Sequence, residues 1–269
     1  MTALDALSNF VRGALAQHDG RLFVLGLCGA QGSGKSTLAT GLQARMEADG
    51  VPTASLSIDD LYHMRAAREA LAATVHPLLL TRGVPGTHDV ALGLAVIAAL
   101  ERGDAAPLPR FDKGLDDRVR QAEWPRAPAG TCLLILEGWC VGAVPQADAA
   151  LTVPVNTLER EEDRDGRWRR FVNAALAGDY QTLFARIDAL VLLAAPGFDV
   201  VLRWRSQQEQ DLRAVTGQGM RDADVARFIA HYERLTRHIL AEMPDRAAMV
   251  LGLDAERRVT TTRYRASLP

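Results

Sequence analysis

The sequence predicts an α/β domain built on a doubly wound, mostly parallel five-stranded sheet, with helices on both faces and a helical lid or insertion. Three observations predict it. An apolar run, Phe23 to Cys28, leads into Gly29-Ala30-Gln31-Gly32-Ser33-Gly34-Lys35-Ser36 and then, from Thr37, into helix formers. Short apolar runs of strand length recur at 53–58, 133–136, 190–194 and 249–253, separated by stretches whose apolar residues fall at helical spacing. Two of these runs end in acids, Asp59-Asp60 and Glu137, at the carboxyl ends where open parallel sheets gather their ligands.

The glycine stretch is G-x-x-x-x-G-K-S with every position filled, which makes the predicted fold a P-loop NTPase. Glycines let backbone N–H groups turn inward around phosphate oxygens, and the helix that follows directs its positive end at the same anion. Gly29, Ala30, Gln31, Gly32, Ser33, Gly34, Lys35, Ser36 and Thr37 are therefore read as the ATP-binding segment, with Lys35 reaching the β- and γ-phosphates and Ser36 ligating Mg²⁺.

The chain has 269 residues and a formal net charge of -2, so it carries no overall electrostatic footprint for nucleic acid or an anionic membrane. A small-molecule substrate fits that balance. The three cysteines, Cys28, Cys132 and Cys140, are an odd number in a long chain, which points to a reducing compartment. No basic segment followed by a long apolar run opens the sequence, and the expectation is a cytoplasmic protein.

Taken in order, Leu4, Leu7, Val11, Ala14 and Leu15 form an amphipathic helix over about 3–17, closed by Gly20. Leu38, Leu42 and Met46 continue the helix of the glycine loop as far as Asp49-Gly50, and residues 53–58 are a second strand. An acid leaving that strand lies near the phosphates, a position open to Asp59 or Asp60; either residue can equally cap the next helix. Residues 64–81 read as helix, followed by a polar loop, Arg82 to Asp89, in which His88 and Asp89 cap a helix over about 90–101. Pro107 to Arg118 reads as a solvated surface hairpin.

Leu133 to Leu136 is a buried parallel strand ending in Glu137, an acid suited to holding a Mg²⁺ water. Residues 158–171, dense in both charges, read mostly as a solvated face. A long helix carries Arg203 to Glu209, residues 220–243 are helical up to Pro244, and Val259 to Tyr264 is a candidate edge strand after the fifth. No repeat or linker divides the chain, so 1–269 is one domain, with an acceptor-binding insertion at about 60–130 and a helical lid region at about 155–243.

Together the motifs GxxxxGKS, SxDDLY, RGxPGxHD, PRFDKxxxDR, LEGWCVG and WRxQQE, over about residues 22–243, resemble the D-glycerate 3-kinase family of P-loop kinases. Phosphoribulokinase, uridine kinase and pantothenate kinase are wider relatives. The resemblance implies transfer of the γ-phosphoryl group of ATP to D-glycerate, giving 3-phosphoglycerate; the acceptor and the 3-position come from the resemblance alone. It singles out Asp59 over Asp60 as the catalytic acid, beside Lys35 and Glu137, with Tyr62 in the same motif. It places Arg82, His88 and Asp89 in the acceptor pocket, where Arg82 meets the acceptor carboxylate.

The nucleoside-kinase segment PxYDxxxHxR overlays on Pro109, Phe111, Asp112, Asp116 and Arg118, and Asp116 stands where those kinases have histidine, which argues against a nucleoside acceptor. Asp112, Lys113 and Arg118 become acceptor-side candidates, and Arg205 resembles a lid arginine at the nucleotide. Two other functions fit the same scaffold: a kinase for another small hydroxylated acid or a pantothenate-like acceptor, and a P-loop ATPase whose turnover depends on a partner. A GTPase is disfavoured by the lack of an N-K-x-D segment.

Overall fold

The computed structural model describes residues 2–216 and 220–265. Its centre is a six-stranded sheet. In chain order β1 is Phe23–Gly29, β2 Thr53–Ser57, β3 Ala106–Pro107, β4 Phe111–Asp112, β5 Asp117–Arg118, β6 Arg126–Ala127, β7 Leu133–Gly138, β8 Ala189–Ala194, β9 Met249–Leu253 and β10 Val259–Tyr264. The large sheet runs β10-β9-β8-β1-β7-β2, and β3–β6 and β4–β5 form two short separate ladders. All five expected strands are present and parallel; the edge candidate β10 joins antiparallel on β9 as a sixth.

Every residue of β1 and β7 is buried, as expected for strands covered on both faces. Alternation divides their side chains between two layers. On one side Leu25, Leu27 and Ile135 pack with α1 (Ala3–Gln17) and α2 (Lys35–Ala48) through Leu7, Val11, Leu38, Leu42 and Met46. On the other, Val24, Leu134 and Leu136 pack with α4 (Val90–Glu101), α7 (Asp179–Phe184) and α10 (Glu233–Glu242). The register sets Glu137 of β7 opposite both Leu27 of β1 and Ser57 of β2, so three strand ends reach one level.

The stretch 64–81 is not one helix. α3 spans Arg65–Thr74, and a separate 3₁₀ turn covers Pro77–Leu80. The cause is Pro77, which forces the residue before it, His76, into extended backbone (φ -160°, ψ 136°). Likewise 220–243 divides at His231-Tyr232 into α9 (Asp222–Ala230) and α10, after α8 (Asp199–Thr216).

The charged stretch 158–171 forms α5 (Thr157–Glu162) and the start of α6 (Arg167–Ala177), and it is not a solvated face at its key positions: Glu159, Asp163 and Arg169 are all buried. Each charge is buried because it is paired. Arg234 of α10 donates to both oxygens of Glu159 at 2.7 Å, and Arg169 meets Asp163 at 2.9 Å while Asp163 also accepts from the Trp168 and Arg169 amides. No helix among the described residues is long and apolar enough to cross a membrane.

Removing one partner of such a pair strands the other in the interior. Glu159→Ala should therefore cost about 3–5 kcal/mol of folding stability, measured by urea denaturation; a loss below about 1 kcal/mol would fit a solvated surface pair instead.

Candidate active site

The glycine loop follows β1 directly. Gly32 (φ +77°) and Gly34 (φ +87°) hold left-handed backbone that side-chain-bearing residues avoid, and Gly34 is the N-cap of α2. Around the loop, both amide atoms of Gln31, Ser33 Oγ and Glu137 Oε2 are buried with no hydrogen-bond partner among the described residues. Ala30 is buried behind the loop, while Lys35, Ser36 and Thr37 form the first turn of α2. Ser36 Oγ donates to Glu137 Oε1 at 2.9 Å, which brings the two expected metal-side residues together.

A buried carboxylate oxygen without a partner is costly, and a divalent cation would satisfy it. No group of three or more His, Cys, Asp or Glu side chains among the described residues is arranged to hold a metal ion. Ser36 Oγ and the unpartnered Glu137 Oε2 are hard oxygen donors of the kind Mg²⁺ takes from a protein, with water and phosphate oxygens completing its shell.

Asp59 and Asp60 follow β2 in a 3₁₀ turn (Ile58–Leu61) whose N-cap is Ser57, so neither carboxylate caps it. Their environments push them apart. Asp60 accepts from the Phe111 amide and from Arg110, both at 3.0 Å; burial raises its carboxyl above the ordinary value. Asp59 is half-buried and accepts from Lys113 Nζ and Tyr62 OH, each at 2.7 Å. Burial acts to raise its carboxyl too, but the charges of Lys113 and Lys35 and the two hydrogen bonds override it and hold the group well below the usual carboxylate range. One anchors a loop; the other is a half-buried carboxylate kept ionised.

Tyr62 is buried, stacked on His88 (4.8 Å between centroids) and edge-on to Phe111. His88 is buried as well, with Nδ1 against the Tyr180 hydroxyl, and burial lowers its pKa to about 3, so the ring is neutral. Asp89 caps α4 through the Leu92 amide and takes Arg118 on its other oxygen at 3.2 Å; Arg118 also holds the Tyr62 carbonyl. Arg82 ion-pairs with Asp116, as does the buried Arg68 at 2.9 Å, and both guanidinium groups lie over Phe111. Asp112 accepts from the Gly114 and Leu115 amides and shapes the hairpin tip.

The expected acceptor-side residues thus converge, but Arg82 and Arg118 already sit on carboxylates of the chain itself. Lys113, 56% exposed at the tip of the β4–β5 hairpin, is the more accessible cation beside Asp59. The hairpin is less solvated than expected, since Phe111 at its base is buried. Arg205 of α8 pairs with Glu209 and lies 5.5 Å from the centre of the Phe228 ring.

One residue that no motif marked reaches the glycine loop: Arg257, in the turn between β9 and β10, donates from Nε to the Gly32 carbonyl at 2.6 Å. It is 225 positions away in sequence, and the Asp254–Arg258 turn has no local signature of nucleotide binding.

No family model matches the chain. It is 38% identical over 229 residues, 80% of this chain and 79% of the relative, to mug58 of Schizosaccharomyces pombe, described as an uncharacterized kinase. It is 29% identical to the chloroplastic D-glycerate 3-kinase of Arabidopsis thaliana over 78% of this chain and 46% of that protein. The solved structure of D-glycerate 3-kinase from Cryptococcus neoformans superposes with a TM-score of 0.81 at 26% identity, over 97% of this chain and 99% of that one. The protein is an ATP-dependent kinase and belongs to the D-glycerate 3-kinase family of P-loop kinases.

Proposed function

We propose that this kinase transfers the γ-phosphoryl group of ATP to the 3-hydroxyl of D-glycerate, giving ADP and 3-phosphoglycerate. The observation that carries the reading is Asp59: a carboxylate held ionised at the end of β2, within the field of Lys35. The names of the Arabidopsis and Cryptococcus relatives support the acceptor. So does Asp116, committed to Arg82 and Arg68 at the position where nucleoside kinases carry histidine.

Phosphoryl transfer asks mainly for alignment and charge neutralisation. The loop from Gly29 to Thr37 binds the phosphates through its amides and Lys35, and Arg205 closes over the nucleotide from α8. Ser36 and Glu137 would hold Mg²⁺, which when bound would supply positive charge to the transferring phosphoryl group. Asp59 accepts the proton of the acceptor hydroxyl, and Tyr62 fixes the orientation of its carboxylate. Lys113 meets the acceptor carboxylate at the pocket mouth. Arg82, Arg118, His88, Asp89 and Asp112 shape the pocket through the contacts they make within the chain.

ADP release from ATP should rise strongly with D-glycerate and not with uridine or pantothenate. Equal stimulation by uridine would overturn the acceptor, and ADP release indifferent to every acceptor would favour a partner-dependent ATPase. Lys35→Ala should abolish turnover, and Asp59→Asn should lower kcat at least about 100-fold while ATP affinity is kept, because a general base contributes about 10²- to 10⁴-fold. Asp60→Asn should instead act by loosening the 110–111 segment, so a larger kcat loss there than at Asp59 moves the base to Asp60.

The Asp59 carboxyl is depressed, so the base form persists as pH falls and is lost only in strong acid. Lys113→Met removes its strongest favourable charge, and the acid limb of kcat/KM should move up by about 1–2 pH units, with Lys113→Arg close to wild type. A limb that stays in place would separate the pair from the catalytic proton.

A further inference from the structure

The turn between β9 and β10 carries one of two non-glycine residues with left-handed backbone among the described residues, Arg257 at φ +65°. Glycine would hold that conformation at lower cost. The arginine side chain compensates with four contacts on two elements. Nε donates to the Gly32 carbonyl at 2.6 Å, Nη1 to Gln207 Oε1 at 3.1 Å and Nη2 to the Trp204 carbonyl at 3.3 Å, while the guanidinium lies over the Trp204 ring at 5.4 Å. Trp204 is itself buried and fastens the same turn by donating from Nε1 to the Ala255 carbonyl at 2.7 Å. It also covers the loop: a Cβ on Gly32 would lie 2.7 Å from Trp204 Cβ.

The consequence falls on one peptide plane. The Ser33 amide donates to the Ala30 carbonyl at 3.1 Å, so the Gly32–Ser33 peptide is gripped at its N–H by the loop and at its carbonyl by Arg257. A planar trans peptide fixed at both ends cannot rotate, and it leads straight into Gly34, the N-cap that opens the anion-binding end of α2. Trp204 and Gln207, three apart on α8, present one face to this latch, while Arg205 and Glu209 pair with each other. The WRxQQE segment therefore does two jobs.

We propose that Arg257, latched by Trp204 and Gln207, is a positioning residue that holds the glycine loop in its phosphate-accepting shape before ATP arrives. ATP then binds without bearing the cost of ordering the loop. The proposal rests on nucleotide binding at the glycine loop and is independent of the acceptor.

The test is the dissociation constant for MgATP of the full chain without acceptor, by calorimetry, alongside steady-state kinetics. Arg257→Ala should weaken ATP binding about tenfold, the loss expected for one charge-assisted hydrogen bond, with kcat at saturating ATP within about twofold of wild type. Arg257→Lys keeps the charge but not the fork and should recover only part of the affinity. Arg258→Ala, an exposed neighbour in the same turn, should change nothing. Unchanged ATP affinity in Arg257→Ala, full recovery by lysine, or an equal loss in Arg258→Ala overturns the latch. If Arg257→Ala does not fold, Gln207→Ala removes only the exposed acceptor of Arg257 Nη1: roughly threefold weaker binding supports the proposal, and unchanged binding overturns it. Lys35→Ala is the reference, since retained affinity there would remove the loop reading and this proposal with it.

Discussion

A hydrogen bond of 2.9 Å from Ser36 to Glu137 joins the first turn after the glycine loop to the end of β7, and the site is arranged around it. It forms only because β7 lies between β1 and β2 in a register that sets Glu137 level with Leu27 and Ser57. A slip of one residue would turn Glu137 to the opposite face. The apolar faces of β1 and β7 forbid that slip, since each strand's two sets of side chains fill different layers. Core packing thereby fixes the spacing between the glycine loop and the acids at the strand ends.

Beyond the sheet, the segment 106–127 combines charge pairs with a few buried apolar side chains, Ala106, Leu108, Phe111 and Ala127. Its ladders, β3–β6 and β4–β5, are two residues long on each strand. What ties the β4–β5 hairpin to the body are pairs across long separations: Arg110 with Asp60, Arg118 with Asp89, Arg68 and Arg82 with Asp116, and Lys113 with Asp59. The first three pairings are constructional and partly sheltered. The last leaves its lysine exposed beside an ionised carboxylate.

Legibility in the sequence followed the range of the interaction. The glycine loop is a local motif, and the strand ends carrying Asp59 and Glu137 announce themselves by apolar runs with an acid behind them. Glu159 and Asp163 read as surface because charge density does not reveal a partner such as Arg234, 75 residues from Glu159. Pro77 carried its helix-breaking signal openly, and the apolar periodicity around it masked that signal. Arg82 and Arg118 look like free cations in a linear sequence, and only the fold supplies Asp116 and Asp89. Arg257 had no local signal at all, because its role comes from a β-turn folding back onto a loop formed near the other end of the chain.

In the proposed reaction a proton leaves the 3-hydroxyl of D-glycerate as the phosphoryl group arrives. ³¹P NMR of the products formed from ATP and D-glycerate tests it most directly. One new phosphomonoester, 3-phosphoglycerate, is expected in equal amount to ADP. 2-Phosphoglycerate, or ADP accompanied only by inorganic phosphate, would contradict it.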